Sequence, residues 1–555
     1  MPRPSARKRA PRNRQLPVAA PWTERLSWEA LALFLLVALA YGNSLNGSFH
    51  FDDSLALNDH AIVGPGFGWA NFRVAQTRPL TCLTFHWNYL AGGLHPWGYH
   101  AVNLALHAVN ILLVLVVARR HLSPATAWLA AALFAIHPLQ TESVDYVWAR
   151  STLLATTFAL VSLLFFFQKR YGWSVVAFAV SLLAKEEPMA LPAFFLLYDL
   201  AIRKRRPREI YGWYLAFGVV AALFAARVFY ALHLFPQPSA GFSLRGVSAL
   251  SYLLTETRVV WIYLRLFLLP VGLDLDHALP LSQGLLSPPA TLAASLALVA
   301  VIVALAQRAW RGEQAAVWGL GFLILLLPTT SIVPVADAMF EHRTYLPLIC
   351  LVIVAAGLLA RLPAATRRAV AAALLVALLG ATVLRNRVWH DEQSLWTDVL
   401  SKSPRDARAY FNLAAAFLMK DPARSRQLSE QGLQIQPTNA VGQGNLGLAL
   451  LMERDPAGAL VHLERASALG LEVPTVWDGI AAARLRLGQQ DLARSAFQHS
   501  LEINPCDYPT RVRLIELLRF LGKTQEAAPV AQLPPGCRPT REQSAQLEEY
   551  RRSLH

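Results

Sequence analysis

The feature that most constrains this chain is a succession of apolar runs that fills its first 385 residues and then stops. They lie at 27–46, 99–118, 124–138, 151–168, 173–185, 188–202, 212–234, 250–270, 291–307, 315–334, 345–361 and 368–385. A helix crosses a bilayer in roughly 20 residues, and hydrocarbon demands that each segment satisfy its own backbone polar groups. So many runs commit the chain to an all-α, polytopic membrane bundle. With 55% hydrophobic and only 16% charged residues, the composition agrees. The formal charge of +15 invites a nucleic-acid reading. The excess sits instead beside the runs, at Arg119-Arg120, Lys169-Arg170, 203–206, Arg308 with Arg311, and Arg367-Arg368. That is the positive-inside asymmetry, and it accounts for the basicity without nucleic acid.

Topology follows from charge. Residues 1–26, basic and Pro-rich, read as a disordered cytoplasmic tail. No small-residue cleavage site follows the first run, so that run is an uncleaved span. With the N-terminus inside, the basic clusters fall on the cytoplasmic side as far as 203–208. Counting 250–270 as a span would then put the acidic loop 271–290 inside and Arg308 and Arg311 outside. The run also carries Glu256, Arg258 and Arg265, so it reads as an interfacial or re-entrant helix on the outer face. The expectation is a transmembrane domain at 27–386 with about 11 spans, N-terminus in and C-terminus out. A twelve-span form ending inside is the rival.

The outer face then collects polar residues: Asp52, Asp53, Asn58, Arg78 and His86 in the first loop, and His137, Glu142 and Asp145 in the next. Lys185-Glu186-Glu187 follows, then Asp274 and Asp276, and finally Asp337, Glu341, His342 and Arg343. Carboxylates, imidazoles and cations gathered at one membrane face read as a site for chemistry on a membrane-borne anion. An Asp-Asp pair taken alone reads as a turn or a helix cap.

Beyond residue 386 the apolar runs give way to a repeat. Asn412-Leu413-Ala414, Asn445-Leu446-Gly447 and Gly479-Ile480-Ala481 recur at intervals of 33 and 34 residues, with prolines at Pro404, Pro437, Pro474 and Pro505. A period of about 34 with small residues on the first helix is the tetratricopeptide signature. It predicts a helical solenoid at 387–540, outside the cytoplasm, and a tail at 541–555. Asn412 and Asn445, on the first helices, are candidate partner-binding residues. Cys506 and Cys537 flank the last helical hairpin, where its ends are neighbours, so they are a candidate disulfide.

Several stretches carry a resemblance: FDDSLALNDH, FAIHPLQTESVDYVWARSTLLA, SLLAKEEPMALPAFFLLYD, RLFLLPVGLDLDH, EHRTYLPL and RNRVWHDEQSLWTDVLSKSPRDARAYFNLA. Their identity and order resemble the transmembrane and tetratricopeptide repeat-containing O-mannosyltransferases, lipid-linked-sugar transferases of the GT-C class. The position after Arg150, usually acidic there, reads Ser151-Thr152. The short repeat array points to a bacterial member of the inner membrane, with site and repeats periplasmic.

The resemblance implies transfer of a sugar, mannose by analogy, from a polyprenyl-phosphate carrier to Ser or Thr hydroxyls of a secreted or membrane protein. The residues suit that chemistry. The leaving group is already a phosphate, so only the acceptor hydroxyl needs a proton acceptor, and Asp52 or Asp53 serves as catalytic base. Adjacent carboxylates cannot flank a sugar as the glycosidase pair does, so one in-line, inverting displacement is expected. Arg78, Lys185 and Arg343 are the candidates for the donor phosphate, with Arg343 preferred. His137, Glu142, His342 and Asp274 are candidate substrate contacts. No cofactor is expected, although Asp52 and Asp53 have the oxygens for a divalent cation. Two other readings compete: a membrane-anchored repeat scaffold for envelope assembly, and a ligase or polymerase of diphosphate-linked glycans.

Overall fold

A computed structural model of the chain describes residues 28–53, 62, 78–234, 247–330, 333–534, 537 and 539–554. The expected tail at 1–26 lies outside the described residues, as does Asn58. Regular structure among the described residues is helical, apart from isolated bridges such as that between Gly284 and Ser287.

Seven helices are long and apolar enough to cross a membrane: Trp28–Asn46, Pro96–Ala118, Val147–Phe167, Pro207–Tyr230, Ala290–Trp310, Glu341–Leu359 and Ala364–Val388. This corrects the expected count of about 11. Three of the other runs form Pro124–Ala135, Tyr171–Ala184 and Gln314–Leu326, of 12, 14 and 13 residues. At 1.5 Å per residue they reach about 18–21 Å, below the length that places a helix among the seven. Proline placement explains two of the breaks, since His137-Pro138 follows the first helix and Pro188 and Pro192 divide the run at 188–202, leaving Leu191–Ala201. The helix Ala249–Leu268 has the length, but Glu256, Arg258 and Arg265 keep it out of the seven.

The buried centre of the bundle is the antiparallel pair Arg150–Phe167 and Tyr171–Ala184 with Pro96–Ala118 alongside. Phe166 stacks on Phe195 at 4.3 Å between ring centres. Leu215, Val219 and Leu223, with Leu296, Val299 and Val303, project outward from the peripheral helices. Such surfaces are at home against lipid tails and costly in water.

The chain continues as a tetratricopeptide-type solenoid of helical hairpins: Ala407–Phe417 with Pro422–Ile435, Ala440–Met452 with Pro456–Ala468, Pro474–Arg486 with Gln490–Ile503, and Tyr508–Phe520 with Thr524–Val530. Asp406, Asp421, Asn439, Asp455 and Asp507 each accept a backbone N–H at a helix start, the capping that fixes where the turns fall. The small residues mark close helix crossings. A Cβ on Gly442 would stand 2.3 Å from Phe411 Cε1, and one on Gly447 would stand 2.6 Å from Leu463 Cγ. Cys506 and Cys537 form a disulfide, with 5.3 Å between their Cα atoms.

The two parts share a core. Tyr146, Ala149 and Leu275 from the bundle bury against Trp389, Leu395, Trp396, Val399, Ala409 and Leu413. That continuity places the first hairpin beside the loop carrying Asp52.

Candidate functional site

The loop after the first span is held from both sides. Phe51 takes a left-handed backbone conformation, φ +46°, which costs a residue with a side chain on the order of 1–3 kcal/mol. Neighbours maintain it. The Phe51 N–H donates to Glu392 Oε1 (3.0 Å), the His50 ring bonds the Trp389 carbonyl (2.7 Å), and the Ser48 N–H donates to the His390 carbonyl (3.0 Å).

The two aspartates differ in consequence. Asp53 is buried, and its carboxylate accepts the His50 N–H at 2.8 Å and the Trp148 N–H at 2.7 Å. Burial pushes its pKa up to about 7 against those hydrogen bonds. Both oxygens are committed to backbone. Asp52 is half-buried, and its N–H donates to the Tyr146 hydroxyl at 3.2 Å. Burial raises its carboxyl above the ordinary value; the Tyr146 hydroxyl opposes this, Asp337 adds to it, and Arg408 and Arg78 lower it. Of the pair, Asp53 is the one with both oxygens turned onto backbone N–H groups.

The three expected cations lie in one neighbourhood, since His342 is within electrostatic reach of Lys185, Arg343 and Arg78. Their commitments differ. Lys185 is buried, pairs with Glu187 Oε1 at 2.6 Å and donates to Thr152 Oγ1 at 2.8 Å; burial lowers its pKa. Arg343 gives Nη1 to the Ala338 carbonyl (2.9 Å) and Nη2 to the Asp337 carbonyl (2.7 Å), so it braces the loop before its own helix. Arg78, at the start of Pro79–Gly92, pairs with Glu186 at 3.0 Å and keeps 23% of its side chain exposed. Of the three, Arg78 keeps the most exposure.

The expected substrate contacts are largely turned inward. His137 is buried, bonds the Phe267 carbonyl at 2.9 Å and accepts the Leu139 N–H at 3.2 Å; burial pushes its pKa down to about 4. Glu142 is fully buried and accepts the Glu341 N–H at 2.7 Å and the His342 N–H at 3.2 Å. Burial pushes it up to about 7, and it caps the short helical turn Glu341–Thr344. Its other oxygen lies 2.5 Å from His342 Nδ1. Asp274 is buried, its N–H donates to Glu341 Oε1 at 2.7 Å, and burial pushes its carboxyl up to about 6. In the solenoid, Asn445 donates to the Phe411 carbonyl at 2.8 Å, which ties two repeats together, whereas Asn412 Nδ2 is buried without a partner.

Sequence reading missed Arg408 and Tyr146. Arg408, on the first solenoid helix, donates Nε to Asp276 at 2.6 Å and Nη2 to Asp337 at 2.6 Å. Its guanidinium also lies over the Phe51 ring, 5.8 Å from the centre. The signal was present, because Arg408 falls in a stretch that carries the resemblance, but there it reads as a repeat residue. Tyr146 stacks on Trp389 at 6.0 Å. No group of three or more His, Cys, Asp or Glu that could hold a metal ion occurs among the described residues.

No protein-family model matches the chain. It is similar to the human protein O-mannosyl-transferase TMTC4, 32% identical over 218 residues that cover 32% of this chain and 29% of the relative. It is 31% identical to the mouse protein O-mannosyl-transferase TMTC3 over 31% of this chain and 22% of the relative. With the Caenorhabditis elegans protein O-mannosyl-transferase F38B6.6 it shares 27% identity over 420 residues, 69% of this chain and 59% of the relative. The chain thus spans between about a fifth and three fifths of the length of these relatives. Among solved structures, MamA is 17% identical and YrrB, titled a TPR protein with an unusual peptide-binding site, is 18% identical. Each covers 29% of this chain, with 89% and 92% of its own length aligned and a TM-score of 0.24.

Proposed function

We propose that this chain is a membrane glycosyltransferase that moves a sugar from a polyprenyl-phosphate carrier to Ser or Thr hydroxyls of a protein acceptor. Its similarity to protein O-mannosyl-transferases supports the reaction class and suggests mannose. The observation that carries the reading is Asp52: a half-buried carboxylate just beyond the first span, facing Arg78 and Arg408. A raised pKa makes it a better proton acceptor than an ordinary aspartate at neutral pH.

In this mechanism the Asp52 carboxylate takes the acceptor hydroxyl proton as the hydroxyl oxygen bonds to the anomeric carbon. The bond from that carbon to the phosphate oxygen breaks, and its electron pair leaves with the lipid phosphate. The configuration inverts in one displacement. Arg78 meets the growing phosphate charge, while Lys185 and Arg343 hold the surrounding loops and contribute positive potential. Asp53 acts as the brace that aims Asp52. The N-terminus lies in the cytosol, and the site and repeats lie on the opposite face.

Reconstitution with polyprenyl-phosphate mannose and a Ser/Thr peptide tests this. Wild type should release lipid phosphate and glycosylate the peptide, whereas Asp52→Asn should lose both by a factor of about 10²–10⁴. Full activity in Asp52→Asn would refute it and favour a scaffold.

A further inference from the structure

The solenoid's first hairpin does more than stand beside the site. Together with the helix Glu392–Lys402 that precedes it, the hairpin supplies three side chains that hold the residue immediately before Asp52. Glu392 accepts the Phe51 N–H at 3.0 Å, the Trp396 ring meets the Phe51 ring at 5.9 Å, and Arg408 covers the same ring. Arg408 itself reaches two separate bundle loops, at Asp276 and Asp337. Lys402 adds a donor to the Leu273 carbonyl at 2.5 Å, and Ser403 one to Asp274 Oδ2 at 3.4 Å. The apolar core beneath these contacts is shared by both parts.

We propose that Arg408 of the first repeat is a positioning residue of the active site, so that donor cleavage itself requires this hairpin, whereas the later repeats are dispensable for it. The proposal rests on the transferase reading of Asp52. The Arg408 guanidinium forks between two carboxylates, a geometry that an ammonium does not reproduce. In doing so it neutralises Asp337, whose negative charge would otherwise face Asp52, and it seats the strained Phe51 that aims Asp52. The groups facing Asp52 are Tyr146 from the bundle side, Asp337 from the late loop, Arg78 from the first loop, and Arg408 from the repeat. Among them only Arg408 comes from the solenoid.

The test uses the full-length protein in vesicles with polyprenyl-phosphate mannose, reading sugar release to water and transfer to a Ser/Thr peptide separately. Arg408→Ala should lower kcat for sugar release on the order of 100-fold with little change in KM, as expected for a mis-aimed base. Its acid limb should also move to higher pH, because a positive charge that favours ionised Asp52 is gone. Arg408→Lys should restore the acid limb while recovering only part of kcat. Arg494→Ala, which breaks an exposed pair with Glu526 in the distal repeats, should leave sugar release unchanged. If Arg408→Ala unfolds the protein, Arg408→Lys decides alone: an unchanged kcat there overturns the proposal. Wild-type sugar release and pH profile in Arg408→Ala, with Asp52→Asn inactive, would also overturn it and leave the transferase reading intact. Unchanged activity in Asp52→Asn would instead remove the reading on which it rests.

Discussion

Replacing Asp53 by asparagine tests the division of roles proposed for the two aspartates. The Asp53 carboxylate accepts two buried backbone N–H groups, from His50 at 2.8 Å and Trp148 at 2.7 Å. Asparagine keeps one oxygen and presents an NH2 group where the other stood, so one donor loses its acceptor and faces another donor. A buried donor left unsatisfied costs about 1–3 kcal/mol, and the surviving bond loses charge assistance. The sum is about 2–4 kcal/mol. In a chain of two parts a single unfolding free energy is poorly defined, so local opening is the better quantity. Hydrogen exchange at the His50 and Trp148 amides should accelerate by at least about 30-fold, the equivalent of about 2 kcal/mol. The effect should shrink as pH falls below about 7, where the wild-type carboxyl is itself protonated. Asp52→Asn should leave both amides protected while abolishing sugar transfer. Unchanged protection in Asp53→Asn together with lost activity would refute this division, because Asp53 would then act in the chemistry.

Burial pushes Asp53, Glu142 and Asp145 each up to about 7, so the folded protein binds these protons more tightly than the unfolded chain. Their stabilisation is complete below the unfolded carboxylate pKa and is lost as pH rises through about 7. Thermal melting should therefore move to lower temperature between about pH 5 and about pH 8, and a shift in the other direction would count against it. Gly442→Ala forces a methyl to 2.3 Å from the buried ring of Phe411, and overpacking of this kind should cost about 1–3 kcal/mol in solenoid stability. Circular dichroism of the purified variant would register it. Cys506→Ser opens a disulfide that spans 31 residues and should destabilise the terminal hairpin by about 2–4 kcal/mol. Limited proteolysis after the third hairpin reads that loss, and sugar release should be unaffected.

The sequence alone determined the helical class, the membrane character and the repeat, because each is written in local periodicity: apolar run length, basic flanks and a spacing of about 34 residues. It also located the loop of Asp52 and Asp53. It did not determine the span count, because run length overstates helix length where Pro138 or Pro188 interrupts. Nor did it separate two adjacent aspartates of identical chemistry. Asp53 is the brace because its partner, the Trp148 amide, lies 95 residues away. Glu142 is a cap because the amide it accepts lies 199 residues away. Arg343 turns both outer nitrogens onto carbonyls of its own loop, and Arg408 leaves its repeat to reach the bundle. Such assignments depend on which groups meet when distant segments fold together, and on which charges burial then strips of water.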